Sequence, residues 1–151
     1  MAEQFYDDLA GVYHFIFKDW DHSIAKQGEV LARVLTAEGV KRSFSILDCT
    51  CGIGTQTLAL AKSGYKIIAS DISGKSIERA KSKAEGRNLK SHFFRLISGI
   101  VICFPLPFHV ILSIDNALPH LLTDEDCASA LSEVYSLLKP EGIFFFHQGL
   151  R

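Results

Sequence analysis

One short stretch, Ile46–Thr57, constrains the fold of this chain more than any other. An apolar run ends on the acid Asp48, passes through a turn that contains Gly52 and Gly54, and enters a helical pattern over 55–62. Glycine lets a backbone approach a ligand closely because it has no Cβ. The first amides of the following helix add hydrogen-bond donors and a partial positive charge. Ligands of open α/β sheets bind beyond the carboxyl ends of the strands, so the sequence predicts a binding site at this turn.

The turn differs from two common phosphate-binding loops. A dinucleotide fingerprint requires a third glycine three residues after Gly54, where this chain has Thr57. A phosphate-binding loop requires Gly-Lys-Ser/Thr, which this stretch does not contain. The pattern that remains is Asp-x-x-x-Gly-x-Gly, with Asp48 at the strand end. A carboxylate there would repel a pyrophosphate but suits an ammonium or a sulfonium; an ordinary strand-turn-helix connection is the alternative interpretation.

Composition narrows the class of protein. The 151 residues, 22% of them charged, are typical of one domain with one core. A net charge of −1 argues against nucleic acid or an anionic membrane as a partner. No charged segment followed by an apolar one opens the sequence, so we expect no export signal. The four cysteines share no zinc-type Cys-x-x-Cys spacing, so we expect reduced thiols in a cytoplasmic protein without a metal, and a metal pair at Cys49 and Cys51 is the less favoured alternative.

Strand and helix patterns alternate along the chain, which predicts a doubly wound parallel α/β sheet. The predicted strands are Phe44–Leu47, Lys66–Asp71, Ser91–Leu96, Val110–Ile114 and Ile143–Phe146. The second strand ends on Asp71, 17 residues after Gly54, close to the spacing at which an acid accepts both ribose hydroxyls. A helix N-cap is the alternative role for Asp71. The uncharged, proline-containing stretch Leu96–Phe108 matches no element that we can assign.

The remaining segments have the patterns of helices. We expect one helix over 3–17 and a second from Asp21 or Ser23 to Ala37, which together form a cap at 1–40 on a core at 41–151 within one domain. Tyr6, Tyr13 and Trp20 of this cap could attract a sulfonium through their ring faces, or could simply pack on the sheet. A later helix capped by Thr123 is predicted to bury one apolar face, made of Cys127, Leu131, Val134, Tyr135 and Leu138.

Taken together, these segments resemble the class I S-adenosylmethionine (SAM) methyltransferases. Four segments are similar to the glycine and sarcosine N-methyltransferase branch in particular: Tyr6–Ala10, Phe17–Trp20, Asp48–Thr55 and Asp115–Leu121. The resemblance implies a Rossmann-like sheet of order 3-2-1-4-5, SAM as co-substrate, no metal, and methyl transfer to the nitrogen of a small amine such as glycine or sarcosine.

The resemblance also implies roles for individual residues. Thr50 and Gly52 would hold the methionine end of SAM, Asp71 the ribose diol, and Ser98 the adenine amino group. Asn116 and Tyr6 are the expected catalytic residues, beside the transferred methyl group. The full set expected at the cofactor is Tyr13, Trp20, Asp48, Thr50, Cys51, Gly52, Gly54, Asp71, Ile72, Ser98, Ile114 and Asp115.

Three departures from the family pattern bear on function. Ser98 stands where the family has an acid or amide. The family also has an arginine after the fifth strand that pairs with the amino-acid carboxylate, and the matching position in this chain is near Gly149. The family also continues into two further strands and a substrate-covering region. A SAM-binding module or fragment with little catalysis is therefore the alternative, and an oxidoreductase is disfavoured by Thr57. Without those strands Ile143–Phe146 would form a sheet edge, and we expect self-association through it.

Overall fold

The computed structural model describes residues 2–95, 107–114, 121 and 123–147. Its sheet has five parallel strands in the order β3-β2-β1-β4-β5. The strands are β1 (Ser45–Asp48), β2 (Lys66–Asp71), β3 (His92–Arg95), β4 (Phe108–Ser113) and β5 (Leu138–Phe146). The helices are α1 (Ala2–Leu9), α2 (Trp20–Ala37), α3 (Thr55–Lys62), α4 (Gly74–Glu85) and α5 (Asp124–Leu137), with a 3₁₀-helix at Tyr13–Ile16. The predicted fold class and strand order are confirmed.

The central strand β1 positions the predicted binding turn. Ile46 pairs with Ile67 of β2 on one side and with Val110 of β4 on the other. The strand order reverses at this point, because the chain builds β2 and β3 on one side of β1 and returns to place β4 on the other. A crevice therefore opens beyond the carboxyl end of β1, as in other doubly wound sheets.

Helices cover both faces of the sheet. On one face Leu35 of α2 and Leu60 of α3 pack on Ile46, Ile67 and Val110, all 3% exposed or less. Ile77 and Ala80 of α4 extend this layer over β2 and β3. On the other face Val134 and Leu137 of α5 pack against Leu47, Phe108 and Ile111. Neighbouring residues such as Ile46 and Leu47 face opposite helix layers because successive side chains of a β-strand point to opposite faces of the sheet.

Several predicted boundaries in the first half of the chain are corrected. The helix expected over 3–17 ends at Leu9, and a turn through Gly11 leads into the separate 3₁₀-helix. Helix α2 begins earlier than expected because Asp19 is its N-cap and accepts a hydrogen bond from the His22 amide at 2.9 Å. Ser73 caps α4 in the same way, so the capping role considered for Asp71 belongs to Ser73.

The buried face of α5 is also different from the predicted one. Leu131 and Tyr135 are 50% and 81% exposed, whereas Val134 and Leu137 face the sheet. The face that packs on the sheet is therefore rotated relative to the predicted apolar stripe, with which it shares Val134. Thr123 does cap this helix, accepting from the Asp126 amide at 3.1 Å.

The last strand is longer than predicted and interrupted. β5 begins at Leu138, which pairs with Phe108, and regular pairing resumes where Ile143 lies opposite Val110. The intervening residues form a tight irregularity in which Glu141 has a φ of 63°. Among the residues that the structure describes, no helix is long and apolar enough to cross a membrane.

We expect the 151-residue polypeptide to self-associate through the outer edge of β5, which pairs with no other described strand. Phe146 is 56% exposed there, whereas Phe145 packs against the core, so Phe146 is the better position for a test. Phe146→Lys should shift the species seen by light scattering towards monomer. Tyr135→Lys, at an exposed aromatic position on α5, is the control. The expectation would be contradicted if the wild type stayed monomeric at tens of micromolar while the backbone amides of Phe144–Phe146 were protected from hydrogen exchange.

Candidate functional site

The glycine turn after β1 is tied to the strands on both sides of it. The Cys49 amide donates to the Leu112 carbonyl of β4 at 2.9 Å, and the Cys51 amide donates to the Ser70 carbonyl of β2 at 3.0 Å. Gly54 has a φ of 91°, and a Cβ at this position would lie 3.1 Å from the Ala80 Cβ of α4. Only glycine combines this backbone conformation with such a close approach, so the turn requires glycine at position 54.

A cavity of about 340 Å³ lies above this turn, within the size range of small-molecule sites. Its wall is formed by the turn, the ends of β2 and β4, the first turns of α3 and α4, and the N-terminal cap. The lining residues are Tyr6, Tyr13, Cys49, Thr50, Cys51, Gly52, Ile53, Thr55, Gln56, Asp71, Ile72, Ser76, Ile114 and Leu121. Asp71 is the one carboxylate among these described lining residues, and none of them is a lysine or arginine.

Two backbone amides hold the Asp71 carboxylate in the cavity wall. Its Oδ2 accepts from the Gly52 amide at 2.8 Å and its Oδ1 accepts from the Ser73 amide at 2.9 Å. Burial raises the pKa of Asp71, while the amides of Ser73, Gly52 and Ile72 oppose that rise. Asp71 lines the cavity, so its two oxygens can also face hydrogen-bond donors of a ligand. The geometry suits two adjacent hydroxyl donors.

Asp48 plays a different part from Asp71. It is 1% exposed, does not line the cavity, and accepts a hydrogen bond at 2.6 Å from the Thr57 hydroxyl of α3. The pair therefore joins the end of β1 to the first turns of α3 from beneath the glycine turn. Asp48 shapes the site from below, and its carboxylate adds negative charge behind the wall.

The two thiols beside Asp48 are held in their neutral form. Burial, followed by the charge of Asp48, raises the pKa of Cys49 to about 12 and that of Cys51 well above its ordinary value. The Cys49 thiol donates to the Leu112 carbonyl at 3.1 Å. Because a thiolate and not a thiol is the nucleophile and metal ligand, these cysteines serve as neutral wall groups. The described residues contain no group of three or more potential metal-ligand side chains.

The aromatic residues of the cap divide into two groups. Tyr6 and Tyr13 line the cavity, and burial together with the charge of Asp71 raises the pKa of Tyr6, so its phenol stays neutral. Trp20 does not line the cavity: it is 8% exposed and donates its indole N–H to the Thr55 hydroxyl at 3.0 Å. Its ring already lies within 6.0 Å of three cationic side chains, at Arg79, Lys83 and Arg87 in α4 and just beyond it. Trp20 thus supports the start of α3 from behind.

The structure brings many of the sequence-predicted residues to one cavity. Those that line it are Tyr6, Tyr13, Thr50, Cys51, Gly52, Asp71, Ile72 and Ile114. Trp20, Asp48 and Gly54 lie behind or beneath the wall. Ser98, Asp115 and Asn116 lie outside the described residues, as does most of the unassigned stretch Leu96–Phe108.

Sequence reasoning missed six lining residues. They are Cys49, Ile53, Thr55, Gln56, Ser76 and Leu121. Thr55 and Gln56 could have been found, because they open the helix that follows the glycine turn. Ser76 carries no such signal, since its place in the wall depends on how α4 packs beside β2.

The comparisons with known proteins agree with this geometry. The sequence model of a methyltransferase domain family matches residues 46–142, more than half of the chain. The chain belongs to this methyltransferase family. Its fold is that of the class I SAM-dependent methyltransferases: it superposes on a SAM-dependent methyltransferase from Clostridium acetobutylicum with a TM-score of 0.74 and 21% identity, over 93% of this chain and 56% of that one.

Two curated relatives are distant from this chain in sequence, and both are longer than it. The chain is 28% identical over 134 residues to a glycine/sarcosine N-methyltransferase of Halorhodospira halochloris and 25% identical over 134 residues to one of Aphanothece halophytica. Each match covers 86% of this chain and 48% of the relative. The chain therefore spans about half the length of these relatives.

The residues of the cavity wall have the chemistry that SAM requires. The Asp71 carboxylate lines the cavity and offers two acceptor oxygens to a ribose diol, and the Gly52 backbone has no Cβ that would exclude a ligand from the turn. Ile72 and Ile114 supply apolar wall, and the tyrosines Tyr6 and Tyr13 supply aromatic wall. Aromatic faces and carboxylates both attract a cation such as a sulfonium. These residues fit the co-substrate of the family.

We predict that Thr57→Val destabilises the fold by about 1–3 kcal/mol, because the buried Asp48 carboxylate loses a donor while side-chain volume is nearly unchanged. Urea unfolding measures the effect. Thr36→Val is the matched control, since the Thr36 hydroxyl is exposed on α2 and bonds only locally to the Ala32 carbonyl. Equal unfolding midpoints for the two variants would contradict the role assigned to the Asp48–Thr57 bond.

Proposed function

We propose that this chain binds SAM in the cavity above the glycine turn and transfers its methyl group to the nitrogen of a small amine such as glycine or sarcosine. The observation that supports the proposal best is the Asp71 carboxylate, fixed by the Gly52 and Ser73 amides in the wall of a cavity that suits a nucleoside. Membership of the methyltransferase family supports the reaction class, and the glycine/sarcosine N-methyltransferases among the relatives suggest the acceptor.

The roles proposed for the cofactor side follow the geometry of the wall. Asp71 would accept the two ribose hydroxyls, and the backbone at Thr50, Cys51 and Gly52 would hold the amino-acid end of SAM. Ile72 and Ile114 would pack against the apolar parts of the ligand. Two further predicted cofactor contacts, Ser98 at the adenine and Asp115, stay predictions because both residues lie outside the described ranges. The same holds for the predicted catalytic residue Asn116.

Bound SAM would supply an electrophilic methyl group on a sulfonium, so this chain has only to bring a neutral amine to it in line. Orientation of two reactants contributes on the order of 7–11 kcal/mol to such a displacement. Tyr6 and Tyr13 would exclude water and present aromatic faces to the charge. Asn116, with Tyr6, is the residue pair that we propose beside the acceptor.

The proposed organisation is a helical cap at 1–40 on a SAM-binding core at 41–151. Tyr6 and Tyr13 reach the cavity from the cap, and the turn, Asp71 and Ile114 come from the core. We also propose a cytoplasmic location, since the described cysteines Cys49, Cys51 and Cys127 are free thiols.

The test of the cofactor site is a calorimetric titration with SAM, its demethylated product S-adenosylhomocysteine (SAH) and NAD. We expect binding of the first two, and a loss of affinity of about tenfold or more in Asp71→Asn, since hydrogen bonds to a charged group contribute about 1.5–3 kcal/mol each. Asparagine keeps one acceptor for the wall amides, so the fold should persist. Asp126→Asn, an exposed position on α5, is the control. Unchanged affinity in Asp71→Asn would refute the ribose assignment, and preference for NAD would refute the SAM site.

The catalytic part of the proposal is tested separately with radiolabelled SAM and a panel of small amines. Transfer to glycine or sarcosine is expected. A chain that binds SAM but methylates no amine would favour the alternative function, a SAM-binding module with little catalysis.

A further inference from the structure

Helix α1 of the cap is docked on the N-terminal end of α4 by one carboxylate. Asp7 Oδ1 accepts a hydrogen bond from the Ser73 hydroxyl at 2.6 Å and another from the Lys75 amide at 3.2 Å. These donors, the hydroxyl first, lower the pKa of Asp7 and keep it ionised. An anion at the start of a helix is also favoured by the helix dipole. Asp7 thus supplies from α1 a second cap for α4, beside the one that Ser73 provides.

Ser73 links this contact to the cofactor wall, because it serves Asp7 and Asp71 at once. Its hydroxyl donates to Asp7, while its backbone amide donates to Asp71 Oδ1 at 2.9 Å. The same hydroxyl accepts from the Ser76 amide at 3.1 Å, and the Ser73 residue is fully buried. Asp71 continues the chain of bonds to the Gly52 amide. A hydrogen-bonded path therefore runs from α1 through the start of α4 to the glycine turn.

Tyr6 is the neighbour of Asp7 in sequence and lines the cavity. It lies close enough to Asp71 for that carboxylate to raise the Tyr6 pKa. Since both Tyr6 and Asp7 belong to one helical turn, the docking of Asp7 determines where the Tyr6 side chain enters the site. The ion pair that Glu3 of α1 makes with Arg95 of β3 is half exposed, and pairs of this kind contribute little to stability.

We propose that Asp7 is a positioning residue: its contacts with Ser73 and Lys75 seat α1 so that Tyr6 closes the cavity beside Asp71, and docking of α1 and cofactor binding strengthen each other. The inference rests on the proposed function, and deepens it by assigning closure of the site to one carboxylate outside the cavity wall. Coupling of this kind is reciprocal, so a bound cofactor must in turn hold α1 more firmly.

The test is a double-mutant cycle on SAH affinity, measured by calorimetry with the full 151-residue chain. Asp7→Asn keeps the Oδ1 acceptor but removes the charge, which weakens both hydrogen bonds because charge-assisted bonds are about twice as strong as neutral ones. It should weaken SAH binding about tenfold, in the range typical of coupling between sites. Asp8→Asn is the matched control, because Asp8 is exposed on the same helix and bonds only to Gln4 one turn earlier; it should stay within about twofold of wild type, as surface substitutions usually do. In a Tyr6→Phe or Tyr6→Ala background, Asp7→Asn should have much less effect than in the wild type.

Hydrogen exchange gives a second readout that general destabilisation would not reproduce. SAH should slow exchange of the α1 amides in the wild type and in Asp8→Asn, and should do so much less in Asp7→Asn, with exchange in β1 and β4 unchanged. Fully additive effects of Asp7→Asn and the Tyr6 variants would overturn the proposal, as would wild-type affinity in Asp7→Asn. If the wild type binds neither SAM nor SAH, the proposed function and this coupling are overturned together. If the wild type binds SAH and Asp7→Asn binds it equally well, only the coupling is overturned.

Discussion

The carboxylate of Asp71 is the group on which the organisation of the site depends. It receives the Gly52 amide from the turn after β1 and the Ser73 amide from the start of α4, and so joins three elements at the carboxyl edge of the sheet. Parallel pairing of β1 with β2 brings those elements together, since Asp48 lies opposite Ala69, two residues before Asp71. The same edge carries the turn in which Gly52, with a φ of 52°, leaves space for a ligand. The site is thus a consequence of strand order.

Two buried layers support that edge. Beneath the turn, the Asp48–Thr57 bond ties β1 to α3, and behind it the Trp20–Thr55 bond ties α2 to the same helix. Both bonds end in the first turn of α3, whose residues Thr55 and Gln56 line the cavity. A catalytic role based on orientation requires such support, because a displacement of even about 1 Å costs catalysis heavily. Rigid walls and neutral thiols fit a reaction in which the protein orients reactants and supplies no nucleophile of its own.

The sequence was sufficient for the sheet and for much of the wall, and the reason lies in local patterns. The acid at the end of β2 and the glycines after β1 have fixed spacings, so Asp71 and Gly52 could be assigned to the wall from the order of residues. Thr50 was added by the resemblance to the methyltransferases. Trp20 could not be placed, because an aromatic residue gives the same pattern whether it faces a ligand or a neighbouring helix. The rotated face of α5 and the presence of Ser76 in the wall depend on packing between distant elements, which periodicity does not encode.

The electrostatics of Asp71 connect stability with ligand binding. Burial raises its pKa in the folded chain, so the native state binds the proton more tightly than the unfolded state, and the contribution of Asp71 to stability is lost as pH rises through that value. Near neutral pH the ionised carboxylate is therefore a cost to the unliganded fold, only partly offset by the Gly52 and Ser73 amides. Hydroxyl donors and a cationic ligand stabilise the ionised form. A ribose diol and a sulfonium would supply that stabilisation, which gives a physical reason for an acid at a buried position that does not favour its ionised form.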